Sequence, residues 1–129
     1  MLRVCDLGAG VDYAAAFRLQ ERCHAERIAE RSQDLLLLLE HAPVYTLGRS
    51  ASSDNLRWSS GELASAGIAC HRTSRGGDVT YHGPGQLVGY PIVRLTERKM
   101  RVIEYVTALE ETLMRALAAC GLERTGRDA

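Results

Sequence analysis

The alternation of apolar and polar positions divides this chain into short elements. Met1 to Leu7 alternates as a strand does, and Gly8-Ala9-Gly10 ends it. From Tyr13 to Arg31 the period becomes helical. Tyr13, Ala16, Phe17, Cys23 and Ile28 fall near one face, while Arg18, Arg22, Glu26 and Glu30 decorate the other and predict a solvated side. Asp34 to Glu40 is a leucine run bounded by charges, the pattern of a central strand covered on both faces. His41-Ala42-Pro43 breaks the chain, Val44 to Leu47 predicts a further extended piece before Gly48, and Arg49 to Arg57 reads as a polar surface loop.

Ser59 followed by Glu62 forms a capping box, in which each side chain satisfies a free backbone N–H near the other, so a short helix starts there and stops before Gly67. Ile68 to Thr73 and Leu87 to Val93 are strand-like, and the glycine-rich segment Ser74 to Gln86 joins them. The clearest helix comes last. Val102, Tyr105, Val106, Leu109, Leu113, Ala116, Leu117 and Cys120 make one apolar stripe, closed by Gly121 as its C-terminal cap. This order predicts an α/β (α+β) fold, a mixed sheet packed with helices. No repeat, low-complexity tract or Pro/Ser-rich linker interrupts it, so residues 1–129 read as a single domain.

Composition changes this picture mainly by exclusion. A chain of 129 residues, 46% apolar and 25% charged, has the makeup of a soluble domain large enough to bury a core. Sixteen basic residues balance sixteen acidic ones, so no global field draws the chain to nucleic acid or to an anionic membrane, and neither is expected as a partner. Leu35 to Leu39, an apolar run that none in the chain exceeds, is far short of the roughly 20 residues a membrane-spanning helix needs. Cys5, Cys23, Cys70 and Cys120 lie far apart, without a CxxC pair or a secretory signal peptide. They predict reduced thiols and a cytoplasmic location. His24, His41, His71 and His82 lack the spacings of a zinc site, and neither a metal nor a cofactor is expected.

The candidate chemistry lies in Arg75-Gly76-Gly77-Asp78-Val79-Thr80-Tyr81-His82-Gly83-Pro84-Gly85-Gln86. Glycines let a backbone approach a ligand closely and turn its amides toward a carbonyl or phosphate oxygen. Arg75 and His82 add donors, and the alternation of Val79, Thr80 and Tyr81 aims one set of side chains into a pocket. The competing interpretation is a plain glycine-rich turn with a surface arginine and a core histidine. Nucleotide motifs do not fit: there is no GxxxxGK, and after Gly83 and Gly85 the dinucleotide fingerprint meets Val88 and a strand where it needs glycine and a helix.

Arg75 to Tyr90, RGGDVTYHGPGQLVGY, closely resembles the signature of the lipoyl(octanoyl) transferases, and His41 to Gly48, HAPVYTLG, resembles that family's other N-terminal block. The resemblance implies the fold of the biotin/lipoate protein ligase catalytic domain. It also implies an acyltransferase that moves octanoyl from acyl carrier protein to a lysine of lipoyl domains, in 2-oxoacid dehydrogenases and in the glycine-cleavage H protein, through a cysteine thioester. Arg75, Gly76, Gly77, Asp78, Val79, Thr80, Tyr81 and His82 carry over as substrate-binding residues.

Members of that family are longer, and their catalytic lysine and acyl-accepting cysteine lie beyond the long helix. No catalytic residue therefore carries over. The chain resembles the N-terminal portion of the domain with its C-terminal part missing, ending in the charged stretch Glu123 to Ala129. An exposed sheet edge and apolar surface are expected to follow.

The residues present do not replace that pair. Cys120 sits in the last helical turn, where the negative dipole end disfavours a thiolate. Cys70 and His71 are neighbours on a strand and face opposite ways. Cys5 and Cys23 read as small core residues, and Lys99, the only lysine, as solvated. Two alternatives stand beside the transferase. One is an ATP-dependent lipoate or biotin ligase, whose Arg- and Ser-containing glycine loop Arg72-Thr73-Ser74 ahead of Gly76-Gly77 partly resembles. The other is an inactive module that binds an acyl chain or carrier protein, with Arg94, Arg98, Lys99 and Arg101 as a docking patch for an acidic partner.

Overall fold

Two parallel crossovers organise the first 93 residues. Strand β1 (Leu2–Asp6) leads through helix α1 (Tyr13–Ile28) into β2 (Asp34–Leu39), which pairs parallel to β1 with Leu2 opposite Asp34 and Asp6 opposite Leu38. Strand β3 (Val44–Leu47) leads through the short helix α2 (Ser60–Ser65) into β4 (Ala69–Arg72), again parallel. Parallel neighbours need such crossovers because a tight turn reverses direction. Strands β5 (Val79–His82) and β6 (Val88–Ile92) then return antiparallel on β3 and β2. The result is two three-stranded sheets, β1-β2-β6 and β4-β3-β5, which give the expected mixed α+β architecture. The computed structural model describes residues 1–52, 55–122 and 125–126, in two units, Met1–Val93 and Arg94–Ala129.

The core of the first unit is Ala16, Leu37, Leu39, Val44, Leu47 and Leu63. β2 departs from the expectation of cover on both faces: Leu37 and Leu39 are buried, but Leu36 and Leu38 are half-buried. The buried stripe of α1 also differs from the expected one. It runs Tyr13, Ala16, Gln20, Cys23, Arg27, at spacings of three and four, whereas Phe17 and Ile28 lie off it and are exposed. Arg27 is buried because its guanidinium meets the buried Asp34 carboxylate at 2.8 Å, tying the end of α1 to the start of β2.

Among the described residues, the three helices end in the same way. In α2, Gly67 takes a left-handed conformation, and Ile68 N–H donates back to the Leu63 carbonyl. α1 ends three residues before the predicted Arg31 because Glu30, with φ 59°, plays the part of that glycine while Arg31 N–H donates to Glu26 O. At the other end, the Asp12 carboxylate caps α1 by accepting from Ala15 N–H at 2.8 Å, and the predicted capping box of Ser59 and Glu62 is present in α2.

The second unit is dominated by helix α3 (Val102–Ala119), closed by left-handed Gly121 and a Leu122 N–H to Leu117 O bond. None of its residues is buried, and Val102, Ile103, Val106, Leu113 and Leu117 are exposed. Arg94 pairs with Glu97 and Arg101 with Glu104, so two members of the expected basic patch carry acidic partners. Among the described residues, no helix is long and apolar enough to cross a membrane. Positions 53–54 of the Arg49–Arg57 loop, and 123–124 and 127–129 of the charged end, lie outside the described residues.

Candidate functional site

The glycine-rich segment is not all loop. Val79-Thr80-Tyr81-His82, rich in β-branched and aromatic side chains, zips onto β3 as β5 and leaves the glycines at its two ends. Register then sorts the side chains. Thr80 lies opposite Thr46 and His82 opposite Val44 on one face, joined by His71 at the level of Thr46 on β4. Tyr81 lies opposite Tyr45 and Val79 opposite Leu47 on the other face, where the two tyrosine rings are 5.2 Å apart.

The first face is backed by a buried polar cluster. His41 is fully buried, with Nδ1 3.0 Å from the Val11 carbonyl oxygen and Nε2 2.7 Å from the Tyr90 hydroxyl. A carbonyl only accepts, so Nδ1 carries the hydrogen. In the neutral ring Nε2 then accepts from Tyr90 O–H. Burial depresses the His41 pKa; the Val11 bond opposes this, nearby His82 adds to it, and Asp12 opposes it. The Tyr90 hydroxyl is pushed up to about 12 by burial, helped by Tyr13 and opposed by a hydrogen bond from Gln20. Both groups therefore keep those roles near neutral pH. The His41 ring stands 5.3 Å from that of Tyr13 and 5.8 Å from that of His82, and Tyr13 is 5.2 Å from His71.

The loop ahead of β5 is fastened to β3 from two sides. Arg75, half-buried, reaches back to Thr46: Nη2 donates to its carbonyl at 2.7 Å and its hydroxyl at 2.9 Å. The backbone of residues 48–50 takes hold of the same loop, with Gly48 N–H donating to Asp78 O, Arg49 N–H to Arg75 O and Ser50 N–H to Gly77 O. Gly48 must be glycine here, since a β-carbon would run into the carbonyl oxygens of Gly76 and Gly77. Gly77, at φ 82°, occupies the left-handed region that favours glycine. The Asp78 carboxylate accepts from the Asn55 amide. Beyond β5, His82 Nδ1 donates to Gln86 Oε1 at 2.6 Å, and Glu40 accepts from Gly85 N–H at 2.8 Å.

Of the eight expected site residues, Gly76, Gly77, Asp78 and Tyr81 are exposed, while Arg75, Val79, Thr80 and His82 are half-buried. Thr80 and His82 share the face with the imidazole cluster; Val79 and Tyr81 point the opposite way. The Arg75 guanidinium faces its own loop. With the loop's carbonyls turned toward protein donors, the backbone N–H groups of Gly76 and Gly77 have no hydrogen-bond acceptor among the described residues. Backbone amides without an internal acceptor are chemically suited to a carbonyl or carboxylate oxygen.

Sequence reasoning missed Tyr13, Gln20 and Tyr90 and gave His41 no separate role. The available signal was a histidine two positions past a leucine run, where burial forces a polar side chain to find partners. Cys70 is exposed and lies at the register of Tyr45, on the face opposite His71, as expected. A cleft of about 300 Å³ between Tyr45, Asn55, Leu56, Arg57, Trp58 and Leu63 lies on the Tyr45 face. A larger one of about 710 Å³, which includes Arg3, Cys5, Gln33 and Leu35, contains none of the eight residues.

Comparison with known proteins sharpens this picture. The family model described as the lipoyl protein ligase A/B catalytic domain matches residues 12–128. An octanoyltransferase of Solibacter usitatus is 50% identical over 113 residues, covering 88% of this chain and 51% of that protein. One from Desulfotalea psychrophila is 48% identical over 118 residues, 91% of this chain and 52% of the relative. One from Koribacter versatilis is 47% identical over 127 residues, 97% and 50% respectively. The chain thus spans about half the length of the curated relatives it matches.

Proposed function

The chain belongs to the lipoyl protein ligase A/B catalytic domain family, and from that premise we propose that it is the acyl-binding portion of an octanoyltransferase of protein lipoylation. The single observation that carries this reading is the exposed Gly76–Gly77 loop, whose carbonyls are held by the Arg75 guanidinium and by Ser50 N–H while its amides have no acceptor among the described residues. Such a loop is suited to the carbonyl oxygen of an acyl group. It donates hydrogen bonds there, and those bonds strengthen as charge develops on that oxygen during acyl transfer.

In this reading Arg75, Gly76, Gly77, Asp78, Val79, Thr80, Tyr81 and His82 form the wall of the acyl site. The donor is octanoyl-acyl carrier protein, and the acceptors are lipoyl domains of 2-oxoacid dehydrogenases and the glycine-cleavage H protein. A cysteine thiolate attacks the donor thioester and expels the carrier thiolate. The lysine amine then attacks the new thioester, expels the cysteine thiolate and loses a proton, leaving an amide. We assign neither the nucleophilic cysteine nor the catalytic lysine to a residue of this chain. Four free, widely separated cysteines support a reducing, cytoplasmic setting.

Calorimetric titration with octanoyl-pantetheine, joined to intact-mass measurement after incubation with octanoyl-acyl carrier protein, tests the proposal. Saturable binding without ATP and without a hydroxylamine-labile adduct is expected. Binding only in the presence of ATP points to an adenylate-forming ligase, and no binding at all overturns the acyl site. A labile octanoyl adduct identifies a resident cysteine as nucleophile.

A further inference from the structure

Arg75 carries five N–H donors in a fixed fork, and the structure accounts for most of them. Nε donates to Thr46 Oγ1 at 3.3 Å, and Nη2 to the Thr46 hydroxyl, the Thr46 carbonyl and the Asp78 carbonyl at 2.7–2.9 Å. Nη1 donates to the Gly76 carbonyl at 3.0 Å. Thr46, the anchor of this network, is 1% exposed. One side chain therefore bridges a buried strand residue to both ends of the loop that presents the Gly76 and Gly77 amides. The peptide that carries the Gly77 N–H is held through its own carbonyl, Gly76 O, by Arg75 Nη1, so turning it over would break that bond; the peptide that carries the Gly76 N–H is held by Arg49 N–H on Arg75 O.

Resting on the acyl-site reading above, we infer that Arg75 is a positioning residue: its side chain fixes the direction of the Gly77 amide and does not hold the acyl headgroup by its charge. Lysine cannot substitute, because an ammonium keeps the charge but loses the planar fork that reaches Thr46, Gly76 and Asp78 together.

The test uses the full chain and two ligands that differ in charge, octanoate and the neutral octanoyl-pantetheine. Arg75→Lys and Thr46→Val are each expected to weaken both ligands by a similar factor, on the order of tenfold, the worth of one charge-assisted hydrogen bond. The double variant should lose less than the product of the two. An Arg75→Lys variant that keeps octanoate binding, beside an Arg75→Met variant that loses octanoate alone, overturns the inference in favour of direct charge recognition. Amide hydrogen exchange gives a readout independent of ligand. Arg75→Lys should speed exchange at Gly48 and Ser50, whose N–H groups bond the loop carbonyls, while leaving the Leu37 and Leu39 amides of β2 unchanged. Unchanged exchange at Gly48 and Ser50 overturns the positioning role, whereas failure of the unaltered chain to bind either ligand overturns the acyl site.

Discussion

His41–Gly48 and Arg75–His82 are each eight residues long and meet along β3 and β5, yet they are built on opposite physical terms. Five of the first eight residues are buried and none of the second eight is. In the first block both buried polar side chains are answered inside the protein: His41 by Val11 and Tyr90, and Thr46 by Arg75. In the second block the glycine amides are left unanswered among the described residues, and the loop is held by bonds to Thr46 and Gly48 of the first, to Arg49 and Ser50 just after it, and to Asn55. The difference teaches a direction of dependence. The buried block carries its own burial, and the exposed loop depends on bonds to it and to the residues that follow it.

The largest expected effect follows from removing the buried block's polar anchor. His41→Ala leaves a cavity and strands the Tyr90 hydroxyl and the Val11 carbonyl, and it should cost about 3–4 kcal/mol of stability in denaturant titrations. A loss under about 1 kcal/mol would break the comparison by showing that this block is not the support. Gly48→Ala comes next. Its methyl group meets the Gly76 and Gly77 carbonyls, so about 1–3 kcal/mol should be lost, with acyl binding weakened beyond what stability explains. Unaltered acyl affinity in a folded Gly48→Ala chain would uncouple the loop from its support.

A pH series gives a smaller effect. Burial lowers the pKa of His41 in the folded state, so below its ordinary value of about 6.5 the unfolded chain binds the proton more readily. The stability due to neutral His41 is complete above that pH and declines as pH falls below it. The denaturation midpoint should therefore drop between pH 7 and pH 5, and His41→Gln should flatten that drop. Smallest of all, Asn55→Ala removes one exposed donor to Asp78 and should change stability by about 1 kcal/mol or less. Its use is to sharpen the contrast, since the same kind of deletion inside the first block costs several times more.

Much of this architecture was legible where local rules decide it. Ser59 with Glu62 announced α2, and Gly67 and Gly121 announced the ends of α2 and α3, because only a left-handed residue closes that turn cheaply. The end of α1 was illegible for the same reason: Glu30 adopts the conformation without being glycine. β5 was hidden by the glycines around it, although Val79 to Tyr81 had strand-like side chains. The buried Arg27–Asp34 pair could not be seen from a helical pattern that places arginine on the wet side, since its partner is supplied by β2. The motif residues Arg75–His82 were located by resemblance. The inward fastening of Arg75 and the Tyr13, His41 and Tyr90 cluster depend on contacts between segments far apart in sequence.

Backbone amide NMR of the full chain, titrated with octanoyl-pantetheine, most directly tests whether Arg75–His82 is the acyl wall. If it is, the shifts saturate and are largest at Gly76 and Gly77, fading through β5 toward His82. Largest shifts at Arg3, Cys5 and Gln33 beside the 710 Å³ cleft, or around Tyr45 and Trp58 alone, would contradict it.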